Sequence, residues 1–239
     1  PKWSWPKSIK GFMWSNEKVL LIATIFTGFA GFNLLILDFI LLNLSTIMVT
    51  MFILKKKYFF IIESIKDIEL KNIKNFGKFS IIYRNKIPEN INKLRTFRLN
   101  CKSKKIPLLV ANNIDLMKKI KADGLYISAH NNKLNLRNFK KGYEIIGGAH
   151  NIKEINLKKL QGCSEVLLSR LFKTTYKNKI GFLGVIKFNL LSKITNISLT
   201  PLGGINLKNL NDLKNVNCES VALSSLVKKK SHKIHAFLR

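Results

Sequence analysis

Three stretches of this sequence end a short apolar run with residues suited to holding phosphate. Glu144-Ile145-Ile146 leads into Gly147-Gly148-Ala149-His150, and Asn151 follows with Glu154 three residues on. Such an Asn caps a helix, and a helix start gathers N–H groups that favour an anion. Ile197–Thr200 leads into Pro201-Leu202-Gly203-Gly204, with Asn206 opening the next helical pattern, and Ser220–Leu223 ends at Ser224-Ser225. Glycine lets backbone N–H groups approach a phosphate closely, and hydroxyls add further donors. Singly, a Gly-Gly is a turn and a Ser pair a cap. Two successive late strands ending this way match the phosphate site that follows strands 7 and 8 in many barrels.

The elements that must carry these residues are short and alternate. Strand-like runs are Tyr58–Ile62, Phe79–Tyr83, Pro107–Ala111, Gly124–Ile127, Glu144–Gly147, Glu165–Leu168, Ile197–Thr200 and Ser220–Leu223. Each is apolar on both faces, as parallel strands covered by helices require. Helical patterns fall between them at 64–74, 89–103, 113–121, 134–140, 151–161, 185–193 and 206–214. Eight strands alternating with helices predict an α/β fold, a compact (β/α)8 TIM barrel with its chemistry at the carboxyl ends of the strands. An open doubly wound sheet is the alternative, since periodicity alone does not separate the two.

Ahead of this region the composition changes. Between Val19 and Leu54 the only charge is Asp38, with Lys18 before the run and Lys55, Lys56 and Lys57 after it. A bilayer core takes about 20 apolar residues per helix, so the run reads as one tilted transmembrane span or as a hairpin turning near Asp38. Trp3, Trp5 and Trp14 suit an interfacial belt. The expected organisation is a membrane-type segment over 1–57 and a barrel over 58–239, the barrel cytoplasmic and tethered to the inner face of a membrane through 19–54. The chain begins at Pro1 rather than Met, so a front segment foreign to the barrel is the competing reading.

Charge and cysteine content narrow the classes. With 42 Lys+Arg against 13 Asp+Glu the chain carries +29, yet 16 Phe and 46% hydrophobic residues exclude a disordered polycation. The lysines are spread along the chain, without the zinc-finger, RNP or basic-heptad spacing of a nucleic-acid reader. Cys101, Cys163 and Cys218 give neither a disulfide framework nor zinc-ligand spacing, which suits a reduced compartment.

The order of motifs resembles the thiamine-phosphate synthase/TenI family from about Tyr58 to Val227. The family's Gln-x-Arg-x-Lys strand end reads Ile82-Tyr83-Arg84-Asn85-Lys86, and its apolar strand before Asn-Asp reads Leu108-Leu109-Val110-Ala111-Asn112. Ala-Asp-Gly-Val-His-Leu appears as Ala122-Asp123-Gly124-Leu125-Tyr126-Ile127, and Ile-Gly-x-Ser-x-His as the shorter Ile146-Gly147-Gly148-Ala149-His150. Phe-x-Thr-x-x-Lys reads Phe172-Lys173-Thr174-Thr175-Tyr176-Lys177; Gly203-Gly204-Ile205 and Val221-Ala222-Leu223-Ser224-Ser225 complete the set.

The resemblance implies thiamine biosynthesis, with hydroxymethylpyrimidine diphosphate joined to a thiazole phosphate, diphosphate released and Mg²⁺ on the leaving group. It places Lys86 and Lys177 on the diphosphate with Arg84 in support. Thr174 and Thr175 would lie between the substrates, and Gly148, Gly203, Gly204, Ser224 and Ser225 in the phosphate sites. The chain departs from the family where Asn112 and Asn131 take the metal-binding Asp positions, Ile82 replaces the early Gln and Gly148 replaces a Ser. A neutral amide is a poor ligand for so hard a cation. These departures suit a TenI-like thiazole isomerase or thiazole-phosphate-binding protein, with His130 and His150 as proton carriers. A membrane-anchored binding module is the third reading.

Overall fold

The computed structural model describes residues 56–73, 77–133, 142–174 and 181–224. The apolar run 19–54 and the helical pattern at 134–140 lie outside them. Among the described residues no helix is long and apolar enough to cross a membrane. The barrel belongs to the second of two units into which the chain divides, Val49–Arg239.

Eight strands run in chain order: β1 (Lys57–Ile62), β2 (Phe79–Tyr83), β3 (Leu108–Ala111), β4 (Gly124–Ile127), β5 (Glu144–Ala149), β6 (Glu165–Ser169), β7 (Ser198–Leu202) and β8 (Ser220–Leu223). Each pairs in parallel with the next, and β1 closes on β8 with Tyr58 opposite Val221. Closure selects the barrel over the open sheet.

Strand alternation produces two cores. One face of the strands points into the barrel, where Phe59, Ile61, Ile82, Leu109, Tyr126, Ile146, Leu167 and Ala222 pack together. The other face, including Phe60, Ile81, Val110, Leu125, Val166 and Val221, packs under the helices. Those helices are α1 (Ile91–Ser103), α2 (Ile114–Ile120), α3 (Ile152–Leu160) and α4 (Gly184–Ile194). Asn90, Asn113 and Asn151 cap the first three, each side chain accepting a backbone N–H from its helix's first turn.

Two expected helices are corrected to 3-10 turns. The 64–74 pattern becomes Ile65–Asp67 and Leu70–Asn72, and the 206–214 pattern becomes Leu207–Asn209 and Asn211–Asn215. In the first, Ser64 and Asp67 close a reciprocal capping box on a single turn, after which Ile68 turns extended. In the second, Asn206 and Asn209 form the same kind of box, and both side-chain amides donate to the Gly204 carbonyl. Short polar side chains that satisfy the local backbone compete with helix propagation.

The amino ends of the strands are closed by polar groups that satisfy one another. The hydroxyls of Thr200 and Ser220 both donate to the Glu165 carboxylate. Asp123 accepts the Leu108 N–H at 2.8 Å and the Arg98 guanidinium at 2.6 Å, while Arg98 Nε donates to the Lys121 carbonyl at 3.0 Å.

Candidate functional site

At the carboxyl end of β2 the chain turns sharply and brings two cations to the rim. The Tyr83 hydroxyl accepts the Glu89 N–H at 3.0 Å, and Asn85 Oδ1 accepts the Ile87 N–H at 3.2 Å, which holds the loop carrying Arg84 and Lys86. These two line a cavity of about 780 Å³ over the ends of β1–β4, together with Glu63, Asn112, Ser128 and His130. Arg84 lies 3.8 Å from Glu63, and its charge acts on the buried Tyr126 phenol inside the barrel. Burial pushes the Tyr126 phenol up from its ordinary pKa, against the opposing effect of Arg84.

Tyr126 explains a glycine. A Cβ built on Gly148 would collide with the Tyr126 hydroxyl, so the phenol fills the space that a side chain at 148 would take. The resemblance matches Tyr126 to a histidine and Gly148 to a serine, and the two departures belong together sterically. Gly147 has a similar role: its bare Cα faces Lys158, whose Cβ would lie 2.8 Å from an added methyl. Lys158 is fully buried and donates to the Asn131 carbonyl at 2.8 Å and to Gln161 Oε1 at 2.9 Å. Burial lowers its pKa. Gln161 Nε2 donates to the same Asn131 carbonyl at 3.0 Å, so the loop after β4 is pinned from beneath.

Above that anchor the two expected metal positions meet each other. Asn131 Nδ2 donates to Asn112 Oδ1 at 3.2 Å; the same oxygen accepts the Ser128 N–H at 2.9 Å, and Asn112 Nδ2 donates to the Ser128 hydroxyl at 3.0 Å. Asn112 holds this position with φ +57°, a left-handed conformation that Asn tolerates better than most residues. Both lone-pair directions of Asn112 Oδ1 are thus taken by N–H groups. Among the described residues no group of three or more His, Cys, Asp or Glu could hold a metal ion. The family's Mg²⁺ therefore does not fit this donor set. Asp123 sits at the amino end of β4 on Arg98, and Asp115 lies in the first turn of α2.

His130 and His150 come together, their rings stacked with centroids 5.8 Å apart. Glu154 orients His150, accepting its backbone N–H at 2.7 Å and lying 3.1 Å from Nδ1. The same carboxylate accepts from Asn151 Nδ2 at 3.0 Å, while Asn151 Oδ1 accepts the Glu154 N–H at 2.9 Å. The start of α3, expected as an anion site, thus carries its own carboxylate.

The other half of the rim lies over β6–β8. Gly203 and Gly204 have φ +93° and +73°, so glycine is required there by conformation. Gly204 also lies against the backbone carbonyls of Phe172 and Lys173, and the Phe172 N–H donates to the Gly203 carbonyl at 3.1 Å. Arg170 packs against Gly203 and donates to the Thr174 hydroxyl at 3.1 Å. Ser224 follows β8. Thr175, Lys177 and Ser225 lie outside the described residues. Arg170, Glu63, Ser128 and Tyr126 belong to the rim or the layer beneath it and are not among the site residues that the sequence motifs point to. Only Tyr126 carried a signal, its paired departure with Gly148.

A closed parallel barrel thus gathers cations, amides and a histidine pair at its carboxyl face, the face where barrels of this architecture carry their chemistry. Residues 66–227 match the family described as Thiamine monophosphate synthase, and the chain belongs to this thiamine monophosphate synthase/TenI family. Thiamine-phosphate synthase of Prochlorococcus marinus strain SARG is 27% identical over 129 residues, 53% of this chain and 37% of the relative. That of Prochlorococcus marinus subsp. pastoris is 32% identical over 129 residues, 52% of this chain and 36% of the relative. The chain thus spans little more than a third of these two proteins. Among solved structures, thiamine phosphate pyrophosphorylase from Pyrococcus furiosus superposes with a TM-score of 0.60 at 16% identity, over 77% of this chain and 93% of that one. At that identity the likeness is one of fold.

Proposed function

We propose that the barrel is a TenI-like member of the family, binding a thiazole phosphate in its mouth without a magnesium ion at the Asn112 and Asn131 positions. The observation that carries this reading is the amide network. Two side chains that would have to present anionic oxygen to a hard cation instead hydrogen-bond each other and Ser128. Arg84 and Lys86 supply positive charge to one side of the mouth; Gly203, Gly204, Thr174 and Arg170 form the other, where the phosphate would rest. An isomerisation of the thiazole moves a proton from one position to another with no net oxidation. An imidazole can accept and then return that proton. His130, which lines the cavity, is the candidate carrier, and His150, oriented by Glu154, is its stacked neighbour. Membership of the family also supports a second reading, the coupling of hydroxymethylpyrimidine diphosphate to thiazole phosphate with Lys86, Lys177 and Arg84 on the diphosphate.

Calorimetry on the full chain, with product analysis, separates the two. Thiazole phosphate is expected to bind equally with and without Mg²⁺, and a mixture with hydroxymethylpyrimidine diphosphate to give no thiamine phosphate. The N112D/N131D double variant is expected to acquire Mg²⁺ binding that the parent lacks. Magnesium-dependent formation of thiamine phosphate by the parent chain would establish the coupling reaction instead.

A further inference from the structure

The outer surface of the barrel carries a feature that its chemistry does not use. Helix α4 docks through Phe188, which is fully buried, and through polar side chains: Asn189 Nδ2 donates to the Asn215 carbonyl at 2.7 Å, Asn189 Oδ1 accepts the Asn217 N–H at 2.8 Å, and Ser192 Oγ donates to the Asn217 carbonyl at 3.3 Å. Val185 and Leu191 pack against the same core, but three other apolar side chains of the helix point outward. Ile186 is 86% exposed, Leu190 59% and Ile194 57%, and Phe182, just ahead of the helix, is 55% exposed. Four-residue spacing aligns Ile186, Leu190 and Ile194 as one ridge, with Phe182 exposed just ahead of the helix. Helix α3, which follows the neighbouring strand, adds exposed Ile152 and Leu160. Most of the large exposed apolar residues among those described therefore fall on this one side. Scattered apolar residues on a surface need no explanation, but a contiguous ridge marks something that covers it.

Charge selects the occupant. No Asp or Glu occurs between Gly181 and Ser198, and Lys187 and Lys193 flank the ridge, with Lys159 on α3. A second copy seated on this face would bring lysines against lysines. An apolar ridge edged on its own helix by lysines matches the acyl boundary and headgroups of an anionic bilayer, as in helices that lie in the interface plane. The same chain carries the Val19–Leu54 run, whose composition suits a bilayer, and a net charge of +29.

We propose that α4 rests on the surface of an anionic membrane, with Phe182, Ile186, Leu190 and Ile194 in the acyl boundary and Lys187 and Lys193 among the headgroups. The proposal concerns the outer face of the barrel and stands apart from whatever the mouth binds.

The test uses the full chain reconstituted into phosphatidylcholine vesicles with and without phosphatidylglycerol. A nitroxide is placed at Ile186→Cys or Leu190→Cys, with Leu99→Cys on α1 as the control, the native cysteines being buried. In vesicles containing phosphatidylglycerol the ridge labels are expected to become severalfold more accessible to oxygen than to a water-soluble nickel chelate. The Leu99 label should stay open to the chelate. Ile186→Glu with Leu190→Glu should return a label at Ile194 to water. Ridge labels as open to the chelate as the control would overturn the proposal, even where the chain is held in the vesicle by its front segment. Equal protection in pure phosphatidylcholine would overturn the role given to the lysines. Spin–spin broadening at the ridge in detergent, without lipid, would assign the face to a second copy.

Discussion

The two ends of this barrel use the same residue types to opposite effect. At the amino ends, Asp123 is matched by Arg98 and the Leu108 N–H, and Glu165 by two hydroxyls; these groups saturate one another. At the carboxyl ends, Arg84 reaches Glu63 only at 3.8 Å, and Lys86 lines an open cavity. Polar groups that exhaust their partners inside the protein contribute to stability, whereas polar groups facing a cavity are available to a ligand. The Asn112–Ser128–Asn131 network departs from this division, because it is internally satisfied yet stands at the mouth. That exception places a saturated amide pair where the resemblance puts metal-binding aspartates.

The largest expected effect breaks the amino end. Asp123→Asn removes the charge opposite Arg98, a guanidinium that is nine-tenths buried. Leaving a buried cation without its partner costs about 3–5 kcal/mol, reduced here to about 2–3 kcal/mol because Asp123 is partly exposed. Urea unfolding should show that loss. Asn112→Gly, which keeps the left-handed backbone and deletes the amide, should cost under about 1 kcal/mol while altering ligand affinity. Equal destabilisation by both changes would erase the distinction between the two ends.

Next in size is the steric pairing of Tyr126 with Gly148. Gly148→Ser pushes a side chain into the phenol and should cost about 1–3 kcal/mol, as overpacked cores do. Tyr126→Phe removes the colliding oxygen, so the double variant should recover part of that loss. A coupling energy of about 0.5–3 kcal/mol between the two changes is expected from a thermodynamic cycle. Additive losses would mean that the two positions do not share one volume.

The carboxylates of the two ends should also respond oppositely to pH. Burial raises Glu144 above the ordinary carboxylate pKa, the nearby Glu165 charge adds to this and Lys57 opposes it. Its contribution is fully present below the unfolded value and is lost as pH rises through the folded one. For Glu154, burial alone would raise the pKa, but hydrogen bonds from the His150 N–H and ring and from Asn151 outweigh it, and the net shift is downward. That contribution is present above the unfolded value and is lost as pH falls through the folded one. On acidification from about pH 7 to about pH 4, across the ordinary carboxylate range, Glu144→Gln should steepen the loss of stability and Glu154→Gln should make it shallower. Slopes of the same sign would contradict the assignment.

How much of this was legible in the sequence follows from the range of each interaction. Strand positions depend on local apolar runs, and all eight strands begin and end within two residues of those runs. The stretches after β1 and β7 read as helices in sequence because the Ser64–Asp67 and Asn206–Asn209 boxes, which stop a helix after one turn, look like the start of one. His130 and His150 could be named as candidates, but their stacking depends on strand register between β4 and β5. Gly148 was visible as a missing side chain, while the reason for it lay one strand away in Tyr126. Arg170 had no periodic or motif signal, and only the Gly203 turn gives it a place at the rim.

The smallest expected effect is at the mouth itself. Glu63 and Arg84 are about half and two-fifths exposed, and 3.8 Å is a long separation for an ion pair. Such a pair contributes about 0–1 kcal/mol, so Glu63→Gln should change the unfolding free energy by less than about 0.5 kcal/mol. Its effect on binding should have the opposite sense, because removing the carboxylate leaves Arg84 facing the cavity without a competing anion. Inorganic phosphate should then bind somewhat more tightly at low salt, and the gain should fade as ionic strength rises. A variant that loses stability without gaining anion affinity would place the Arg84 charge with the barrel's internal bonding, as at the amino end, rather than with the ligand.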